Sequence, residues 1–455
     1  MRHLVYYLRL LFFSLRYRKV CAMARAERGA MNGLDDAARI QEGLFRFSVL
    51  VRGVAARNVF YRQLWADAGL DSSLQDLRPA DFPIVSKAQI RPALVTSDIL
   101  NSPLTAVKAI WLKTTGSTGE PFVFPIDREG MARREASRVL AREGYGHSIG
   151  DSMVSVWRGT MGKIRWKDRL INWLHGEVRI CVFDPDRPVE SALSDDRLNE
   201  ILDRIEGVNP KHVDGYASAL ALLARFHLGA QRYYMGSNLK TVITGAEVLS
   251  DEDRSDIQRF FGVPVMNRYG GTESSLIAHQ FLNEDGQVSP YLRVCSEKLL
   301  VEIVDEQGCY VEPGEIGRVI LTDFTNNLMP LVRYDVGDFA RGLSKGIQFG
   351  LVEVVGRKNT FFRNRDGNLI STHIWQNYLR SSREISAFLL EQKTLDDVCL
   401  YVKLNEPSNA SGSAIADLKQ KIQFALPGVA LDVKYVEQLP VGPGGKHIQC
   451  VSHVL

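Results

Sequence analysis

The sequence predicts an α/β protein with a large N-terminal domain, residues 1–356, and a small C-terminal α+β domain, residues 357–455. Three observations support this prediction. Extended and helical segments alternate through residues 105–275, short strands separated by turns follow from about residue 288, and a strand–helix–strand order returns near the C-terminus. Such alternation is typical of a doubly wound parallel sheet with helices on both faces. A length of 455 residues also exceeds what one hydrophobic core usually spans.

The N-terminal residues 1–20, MRHLVYYLRLLFFSLRYRKV, form an apolar run that Arg9, Arg16 and further basic residues interrupt. A membrane-spanning helix needs roughly 20 apolar residues, so we do not expect one here. Two interpretations remain open. An amphipathic helix would rest weakly on an anionic membrane surface, or a first helix would pack on the domain with its arginines extending to water. We expect a cytoplasmic protein, with peripheral membrane contact as the alternative.

The first domain begins with helical sequence over residues 35–70, and its α/β core follows. We expect helices in MARREASRVLAREGYG, in SDDRLNEILDRIEG from Ser194 to Gly207, and in SDEDRSDIQRFF with Ser250 as its N-cap. Strands are expected in LKTVITG and VPVMNRYG, each leading into a loop. The carboxyl ends of such strands are where doubly wound proteins bind their ligands.

The second half of the chain predicts two further units. The segments KLLVEIVDEQG, EIGRVILTDF and QFGLVEVVG predict a β-rich subdomain over about residues 288–356. After Gly356, VCLYVKL predicts a strand, SAIADLKQKIQFAL a helix and ALDVKYVEQL a strand. These make the small α+β domain, which is long enough to fold as a unit.

Composition excludes several classes of function. Apolar residues make up 45% and charged residues 24% of the chain, as in an ordinary globular protein. A net charge of +3 gives no reason to expect a nucleic-acid partner, which requires a clustered basic face. The six cysteines are widely scattered, so we expect reduced thiols instead of a zinc ribbon or a redox pair.

The segment TTGSTGEP, residues 114–121, has the composition of an anion-binding loop. Its glycines allow backbone turns that direct N–H groups at one point, and four hydroxyls add donors. It is not a P-loop, because no Lys–Ser/Thr pair follows its last glycine. Taken alone, the segment is equally typical of a surface turn.

Three other segments carry residues suited to nucleotide chemistry. NRYGGTE ends in Glu273, a carboxylate able to hold Mg²⁺ beside phosphate. RYDVGD offers Asp338 in a turn, suited to bind a ribose diol, and GPGGK carries Lys446 on a loop. Singly, each has a simpler interpretation: a helix N-terminal acid, a turn-forming residue and a solvated lysine.

Together and in order, TTGSTGEP, TGAE, NRYGGTE, RYDVGD, GRKN and GPGGK resemble the adenylate-forming superfamily of acyl-CoA synthetases and adenylation domains. The short chain and the residues around RYDVGD are similar to its branch of phenylacetate–CoA ligases and CapK-type capsule-biosynthesis proteins. The resemblance spans residues 111–446. It implies a large N-terminal adenylate-forming domain and a small, mobile C-terminal domain.

The resemblance implies a role for each motif in ATP binding. The loop would surround the β- and γ-phosphates, through Thr114, Thr115, Gly116, Ser117, Thr118 and Gly119. The backbone of TGAE would line the adenine base, at Gly245, Ala246 and Glu247. Asn267 would contact the adenine amino group, and Tyr269 would stack on the ring.

Five further positions complete the implied site. Thr272 would touch the α-phosphate, Glu273 would bind Mg²⁺ and Asp338 would hold the ribose hydroxyls. Arg357 would also contact the nucleotide, and Lys446 would enter from the small domain during adenylation. A carboxylate that attacks a phosphate brings two anions together, and Mg²⁺ and a lysine can offset the repulsion.

In this superfamily the small domain swings between the two half-reactions, and the resemblance places the hinge at Asn359. Relatives usually have Asp or Lys there, so this residue leaves the efficiency of the swing open. Asn368 stands where many relatives have an arginine, which weakens a transferred role at that position. For His279 and Cys295, we favour packing in the core over a metal site.

The acyl-binding walls are expected near Tyr216, Gly270 and Gly271. Small residues in DGYASAL leave space for a ring or a short chain, although Tyr216 equally suits a core position. The basic segment RGTMGKIRWKDR suits either CoA phosphates, a carrier protein or plain solvent exposure.

We therefore expect an AMP-forming ligase whose cofactors are ATP, Mg²⁺ and coenzyme A. It would convert a small, aryl-type carboxylic acid to an acyl-adenylate with release of pyrophosphate, and then pass the acyl group to the thiol of CoA. Alternatives are transfer to an amine or to a carrier-protein thiol, and a non-catalytic CapK-like protein of polysaccharide biosynthesis. The missing P-loop lysine disfavours a kinase. The sequence leaves the oligomeric state open.

Overall fold

The computed structural model describes most of the chain. The described ranges are 18–31, 33–70, 77–114, 122–157, 176–181, 195–357, 361–366, 369–372, 385–404, 413–439 and 450–454, with single positions at 8, 11, 74, 172, 375 and 379. The chain forms two compact units. The first comprises Met1–Leu112, Phe124–Val336 and Ala340–Val354, and the second comprises Lys113–Val123, Gly337–Phe339 and Val355–Leu455.

The first unit starts with helices α1 (Arg18–Met31), α2 (Asp36–Arg57), α3 (Val59–Asp67) and α4 (Lys87–Val95). Two helices occupy residues 36–67 of the predicted helical segment 35–70, with one break at Asn58. This residue ends α2 and caps α3, because its side chain accepts a hydrogen bond from the Tyr61 amide. Helix α1 packs Val20 and Ala24 into a buried cluster. Most of residues 1–20 lie outside the described residues, so the two interpretations of that segment stay predictions. Within the described residues, no helix combines the length and apolar composition needed to cross a bilayer.

Within the described residues, the core of the first unit is an eleven-stranded sheet, with its strands numbered in chain order and arranged β10-β11-β12-β13-β9-β8-β7-β6-β5-β3-β4. Five of its strands are parallel: β3 (Met153–Trp157), β4 (Glu177–Cys181), β5 (His212–Tyr216), β6 (Thr241–Gly245) and β7 (Val265–Gly271). Strands β1 (Ile110–Lys113) and β2 (Val123–Ile126) form a separate pair.

Helices cover both faces of the parallel strands, which confirms the predicted doubly wound core. They are α5 (Arg128–Gly144), α6 (Asp195–Val208), α7 (Ala217–Gly229) and α8 (Asp251–Phe261). Neighbouring residues of β6 show the two faces, since side chains alternate along a strand. Val242 packs in a cluster with residues of α6, α7 and α8, whereas Ile243 packs with Ala141 of α5. Ser250 caps α8 as predicted, by accepting a hydrogen bond from the Asp253 amide.

The β-rich region is not a separate subdomain, which differs from the prediction. Its strands continue the same sheet: β8 (Ser275–His279), β9 (Leu292–Val294), β10 (Leu299–Val304), β11 (Ile316–Asp323), β12 (Leu331–Gly342) and β13 (Gly350–Arg357). Strand β8 folds back antiparallel on β7, and β9 pairs with β8. The hydrogen-bonding edge that β7 would otherwise expose is thereby covered, which removes a site of unwanted strand pairing.

The second unit contains the predicted α+β elements. These are β14 (Phe361–Arg363), β15 (Leu369–Ser371), β16 (Ile385–Gln392), β17 (Asp397–Leu404), α9 (Ser413–Ala425), β18 (Ala430–Tyr435) and β19 (Cys450–Ser452). Four strands form a sheet in the order β18-β17-β16-β19. Leu418 and Ile422 of α9 pack into a core with Leu390, Leu400 and other buried residues. The helix therefore holds this sheet together by burying one apolar stripe.

Two buried histidines lie at the amino-terminal edge of the parallel sheet. The ring centroids of His147 and His212 are 4.7 Å apart, and the side chains are 5% and 0% exposed. His212 Nδ1 lies 2.6 Å from Thr241 Oγ1. Burial, together with the nearby positive charge of Arg142, lowers the pKa of His147 to about 3. The folded protein therefore holds this histidine neutral at pH values where the unfolded chain binds a proton.

We expect the free energy of unfolding to fall as the pH decreases below 6.5. In the unfolded chain a histidine binds a proton below about pH 6.5, whereas in the folded protein His147 stays neutral. This difference alone lowers the free energy of unfolding by about 2 kcal/mol at pH 5. The variant His147→Gln should reduce the difference between pH 7.5 and pH 5 by that amount. Urea unfolding at several pH values measures it, and an unchanged difference would contradict the prediction.

Candidate functional site

The carboxyl ends of three parallel strands bring the central motifs to one edge of the sheet. Tyr216 at the end of β5 lies opposite Gly245 at the end of β6, and Thr244 lies opposite Asn267 on β7. The segments DGYAS, TGAE and NRYGGTE, which are far apart in sequence, are thus neighbours in the fold. This edge is where ligands bind in open α/β sheets.

The TGAE turn is held in one conformation by local contacts. Ala246 has a φ of +64°, in the left-handed region that side chains other than glycine rarely adopt. Glu247 stabilises the turn, because its Oε2 accepts a hydrogen bond from the Ser218 amide at the start of α7, at 3.0 Å. Gly245 has no room for a side chain, since a Cβ there would lie 2.9 Å from Cγ of Arg268. The backbone of this turn therefore has a fixed conformation, and no side chain covers it at Gly245.

Asn267 is oriented by a hydrogen-bond network. Its backbone N–H donates to Gln280 Oε1 at 2.9 Å, and the backbone N–H of Gln280 donates to the backbone carbonyl of Asn267 at 2.9 Å. Thr244 Oγ1 donates to Asn267 Oδ1 at 3.2 Å. The neighbouring Tyr269 is buried, with 8% of its surface exposed. The side chain of Asn267 is thus preorganised at the end of the strand.

Two glycines follow Tyr269, and the first is required by packing. The pairing of β7 with β8 shifts register between Tyr269 and Gly270. A Cβ on Gly270 would lie 2.4 Å from the Ser275 carbonyl oxygen, which no side chain could tolerate. Gly271 is less restricted, since its nearest described neighbour is Glu273 Oε2 at 3.5 Å from a built Cβ. The bulge turns the chain sharply ahead of Thr272 and Glu273.

Two buried cations hold the backbone of the Thr272–Glu273 turn. Arg134 of α5 donates from Nη1 to the Thr272 carbonyl at 3.4 Å and from Nη2 to the Glu273 carbonyl. The same guanidinium forms an ion pair with Asp323, at 2.8 Å, and both side chains are at most 2% exposed. Lys298 Nζ donates to the Ser274 carbonyl at 2.5 Å. The carbonyl groups of the turn are therefore fixed by charge-assisted hydrogen bonds.

The Glu273 side chain lies against Lys87. Lys87 Nζ is 2.9 Å from Glu273 Oε1, and Tyr334 on β12 donates its hydroxyl to the same oxygen at 3.5 Å. In the part of the chain that the structure describes, no three His, Cys, Asp or Glu side chains are grouped to hold a metal. Mg²⁺ usually takes one or two protein carboxylates and completes its shell with water and phosphate, so a single Glu273 fits it.

Several predicted nucleotide-binding residues belong to the second unit. Asp338 accepts a hydrogen bond from Arg357 Nε at 3.2 Å. Asp338 lies within strand β12 and not in a turn as predicted, although Gly337 before it has a φ of +78° that bends the strand. Thr114 exchanges hydrogen bonds with Phe122: the Phe122 amide donates to Thr114 Oγ1 at 2.9 Å. These two residues close the base of the predicted phosphate loop.

Other predicted site residues lie outside the described residues. They are the loop positions Thr115, Gly116, Ser117, Thr118 and Gly119, the hinge residue Asn359 and the lysine Lys446. Asn368 and the predicted cap Ser194 lie outside them as well. The roles of these residues stay predictions.

Tyr216 and His279 have clear packing partners. The ring of Tyr216 contacts Trp157 at a centroid distance of 4.6 Å, at the carboxyl edge of the sheet. His279 is buried, packs edge-on against Tyr145 and bonds through Nδ1 to the Gln280 carbonyl. Burial lowers the pKa of His279 to about 4 and raises the pKa of the Cys295 thiol. Both buried residues lie in the core, as the packing interpretation predicts.

Four residues that support the site were not predicted from the sequence, namely Lys87, Arg134, Lys298 and Asp323. Arg134 is one of several arginines in its helix, and the neighbouring Arg133 instead pairs with exposed Glu129. For Arg134, the sequence signal for burial is helical periodicity, which places this residue on the buried face of its helix beside Ser137. Nothing in the sequence links Lys87 or Arg134 to a turn that lies more than 100 residues away.

Comparison with known proteins agrees with this architecture. Residues 171–327 match the family model described as AMP-binding enzyme. Protein CapK of Staphylococcus aureus is 22% identical over 365 residues, which cover 76% of this chain and 75% of that protein. A phenylacetate–coenzyme A ligase of Thermus thermophilus is 25% identical over 179 residues, covering 37% of this chain and 40% of that protein.

A solved structure extends the similarity to nearly the full chain. A 2-hydroxyisobutyryl-CoA ligase, crystallised in the postadenylation state with R3-HIB-AMP, aligns with a TM-score of 0.66. The alignment covers 92% of this chain and 90% of that one, at 18% identity. The predicted resemblance to the adenylate-forming superfamily, with its phenylacetate–CoA ligase and CapK branch, is confirmed, and so is the predicted fold class.

The buried Arg134 gives a stability prediction. Replacing it with methionine leaves Asp323 buried without its partner, which costs about 3–5 kcal/mol of unfolding free energy. The matched control is Arg133→Met, which removes an exposed ion pair and should cost at most about 1 kcal/mol. Chemical unfolding of the two variants measures both values, and similar losses in the two would refute a special role for the buried pair.

Proposed function

We propose that the protein is an AMP-forming carboxylate–CoA ligase. It activates a carboxylic acid with ATP, releases pyrophosphate and transfers the acyl group to the thiol of CoA. The observation that carries the proposal is the preorganised edge of the sheet, where the fixed TGAE turn lies beside Asn267 on the next strand. Glu273 follows directly after the end of that strand. The similarity of fold to CoA ligases supports it. A cytoplasmic location, where ATP and CoA are available, is part of the proposal.

The residues at this edge suit the first half-reaction. The Gly245–Ala246 backbone and the oriented Asn267 amide bind and position the adenine, and Thr272 donates to the α-phosphate. Mg²⁺, when bound at Glu273, supplies positive charge against the phosphate oxygens. The fixed turn keeps the Glu273 carboxylate in place without reorganisation, which is the main source of electrostatic catalysis. Asp338 and Arg357 serve the ribose and the nucleotide.

The small domain of residues 357–455 provides the mobile part of the mechanism. We propose that it turns about Asn359 between the half-reactions. In one orientation Lys446 stabilises negative charge on the α-phosphate, and in the other the lysine withdraws so that the thiol can enter. Positioning of this kind lowers the barrier only in the half-reaction for which the lysine is present.

The acid is proposed to be small and aromatic or similarly compact. The T-shaped pair of Trp157 and Tyr216 lies at the carboxyl edge, beside the strand end that carries Gly245. Aromatic side chains favour edge-to-face contact with another ring. Tyr216, Gly270 and Gly271 would then line the acyl group, with the glycines leaving room next to the adenylate.

The overall reaction is tested by pyrophosphate exchange. We expect the purified protein to exchange labelled pyrophosphate into ATP only when a suitable carboxylic acid is present, and to form AMP continuously only when CoA is added. A panel of aryl and short-chain acids, each with and without CoA, measures this. Acid-dependent exchange with no stimulation of AMP formation by CoA would select an amine or a carrier-protein acceptor instead. Lack of exchange with every acid would favour a non-catalytic CapK-like role.

The two half-reactions separate in the variant Lys446→Ala. We expect adenylation to fall by at least about 100-fold, because positive charge at the transferring phosphate is lost. Transfer from a supplied acyl-adenylate to CoA should change less than about threefold. Equal loss in both half-reactions would contradict the proposed domain alternation.

A further inference from the structure

Lys87 is held at the edge of the site by a short strap of residues 82–87. Val85, which is fully buried, donates its amide to the Arg333 carbonyl and accepts from the Asp335 amide, at 2.9 Å each. Ser86 then caps α4, and Lys87 is the first residue of that helix. Both backbone groups of Val85 thus hydrogen-bond the strap to the strand that carries RYDVGD. The base of the Lys87 side chain has a fixed position, although its flexible stem leaves the ammonium group adjustable.

The ammonium group of Lys87 occupies one side of the Glu273 carboxylate. It lies 2.9 Å from Oε1, and the Tyr334 hydroxyl reaches the same oxygen at 3.5 Å. The other carboxylate oxygen, Oε2, lies near Gly271, where a Cβ atom added to this glycine would be 3.5 Å from it. The side chains of Lys87 and Glu273 are 32% and 15% exposed, so the pair is partly shielded from water. Charges in such a position interact more strongly than on the open surface.

The carboxylate has little freedom to leave this ammonium group. Arg134 and Lys298 fix the backbone of residues 272–274 on the other side of the turn. A divalent cation at Glu273 would therefore meet the positive charge of Lys87 within the same small volume. Two cations of that kind repel each other unless additional negative charge is present. A nucleotide triphosphate supplies that charge.

We propose that Lys87 is the resident counter-ion of Glu273 and makes binding of a divalent cation dependent on nucleotide. Without nucleotide, the ammonium neutralises the carboxylate and opposes a free cation. With nucleotide, the phosphates provide the negative charge that both cations share, and Lys87 can turn toward them. Lys87 is a positioning residue in this scheme. The inference rests on the proposed function in one respect, namely that Glu273 is the carboxylate that faces Mg²⁺.

The test measures binding of Mn²⁺ alone, by electron paramagnetic resonance, to the full chain without ATP, acid or CoA. We expect Lys87→Met to bind Mn²⁺ about tenfold more tightly than the wild type, since a neighbouring positive charge has been removed. Lys87→Gln, whose side chain ends in a polar but uncharged group, should show the same gain in Mn²⁺ affinity. Lys87→Arg, which keeps the charge, should match the wild type.

Two controls locate the effect. Arg78→Met removes one positive charge from the chain just before the strap, where Arg78 is exposed and pairs with Asp81, and it should leave Mn²⁺ affinity unchanged. Adding Glu273→Gln to Lys87→Met should abolish the gain. Equal or weaker Mn²⁺ binding in both neutral variants overturns the inference, as does a gain that survives Glu273→Gln.

The proposed function is judged separately. Pyrophosphate exchange by the wild type tests it without any Lys87 variant. Exchange with no gain in Mn²⁺ affinity would remove only the role of Lys87. A gain in affinity without exchange would leave a cation site that is not part of an adenylating enzyme.

Discussion

The buried guanidinium of Arg134 is the interaction on which the site depends. It joins helix α5, strand β11 through Asp323, and the turn between β7 and β8. An isolated buried charge is very costly, and this one is stable because an anion, two carbonyls and a hydroxyl surround it. Those carbonyls belong to the residues that precede and carry the Glu273 side chain. The buried Arg134 guanidinium thus fixes the backbone that positions the Glu273 carboxylate.

The same pattern recurs around the sheet. Arg268 pairs with Asp214 at 2.8 Å beneath the TGAE turn, and Arg333 pairs with Glu302 at 3.0 Å next to the Lys87 strap. Buried ion pairs contribute little net stability, but they allow few alternative arrangements. Here each pair lies directly behind a segment that would contact substrate. The rigid part of the site is therefore built from charge pairs, while the predicted mobile lysine belongs to another domain.

Local features of the sequence predicted much of the fold because they depend on neighbouring residues. The cap at Ser250, the strands through TVITG and VMNRYG, and the helix of the small domain follow from periodicity and capping alone. The ordered motifs pointed to segments that the sheet makes neighbours, TGAE and NRYGGTE, whereas the roles of their residues stay predictions. The pairing of β8 and β9 with the parallel strands was not, because short strands do not specify their partners. Contacts such as Lys87 with Glu273 join positions that no local pattern relates.

The bulge between Tyr269 and Gly270 has a consequence for how this region can change over evolution. Side chains of a strand alternate between faces, so adding or losing one residue there would exchange the two faces of everything beyond it. Asn267 and Tyr269 would then stand on different sides relative to Thr272 and Glu273. Substitutions at exposed positions of this segment leave that relationship intact, whereas insertions and deletions do not. The length of NRYGGTE is therefore constrained more strictly than its composition.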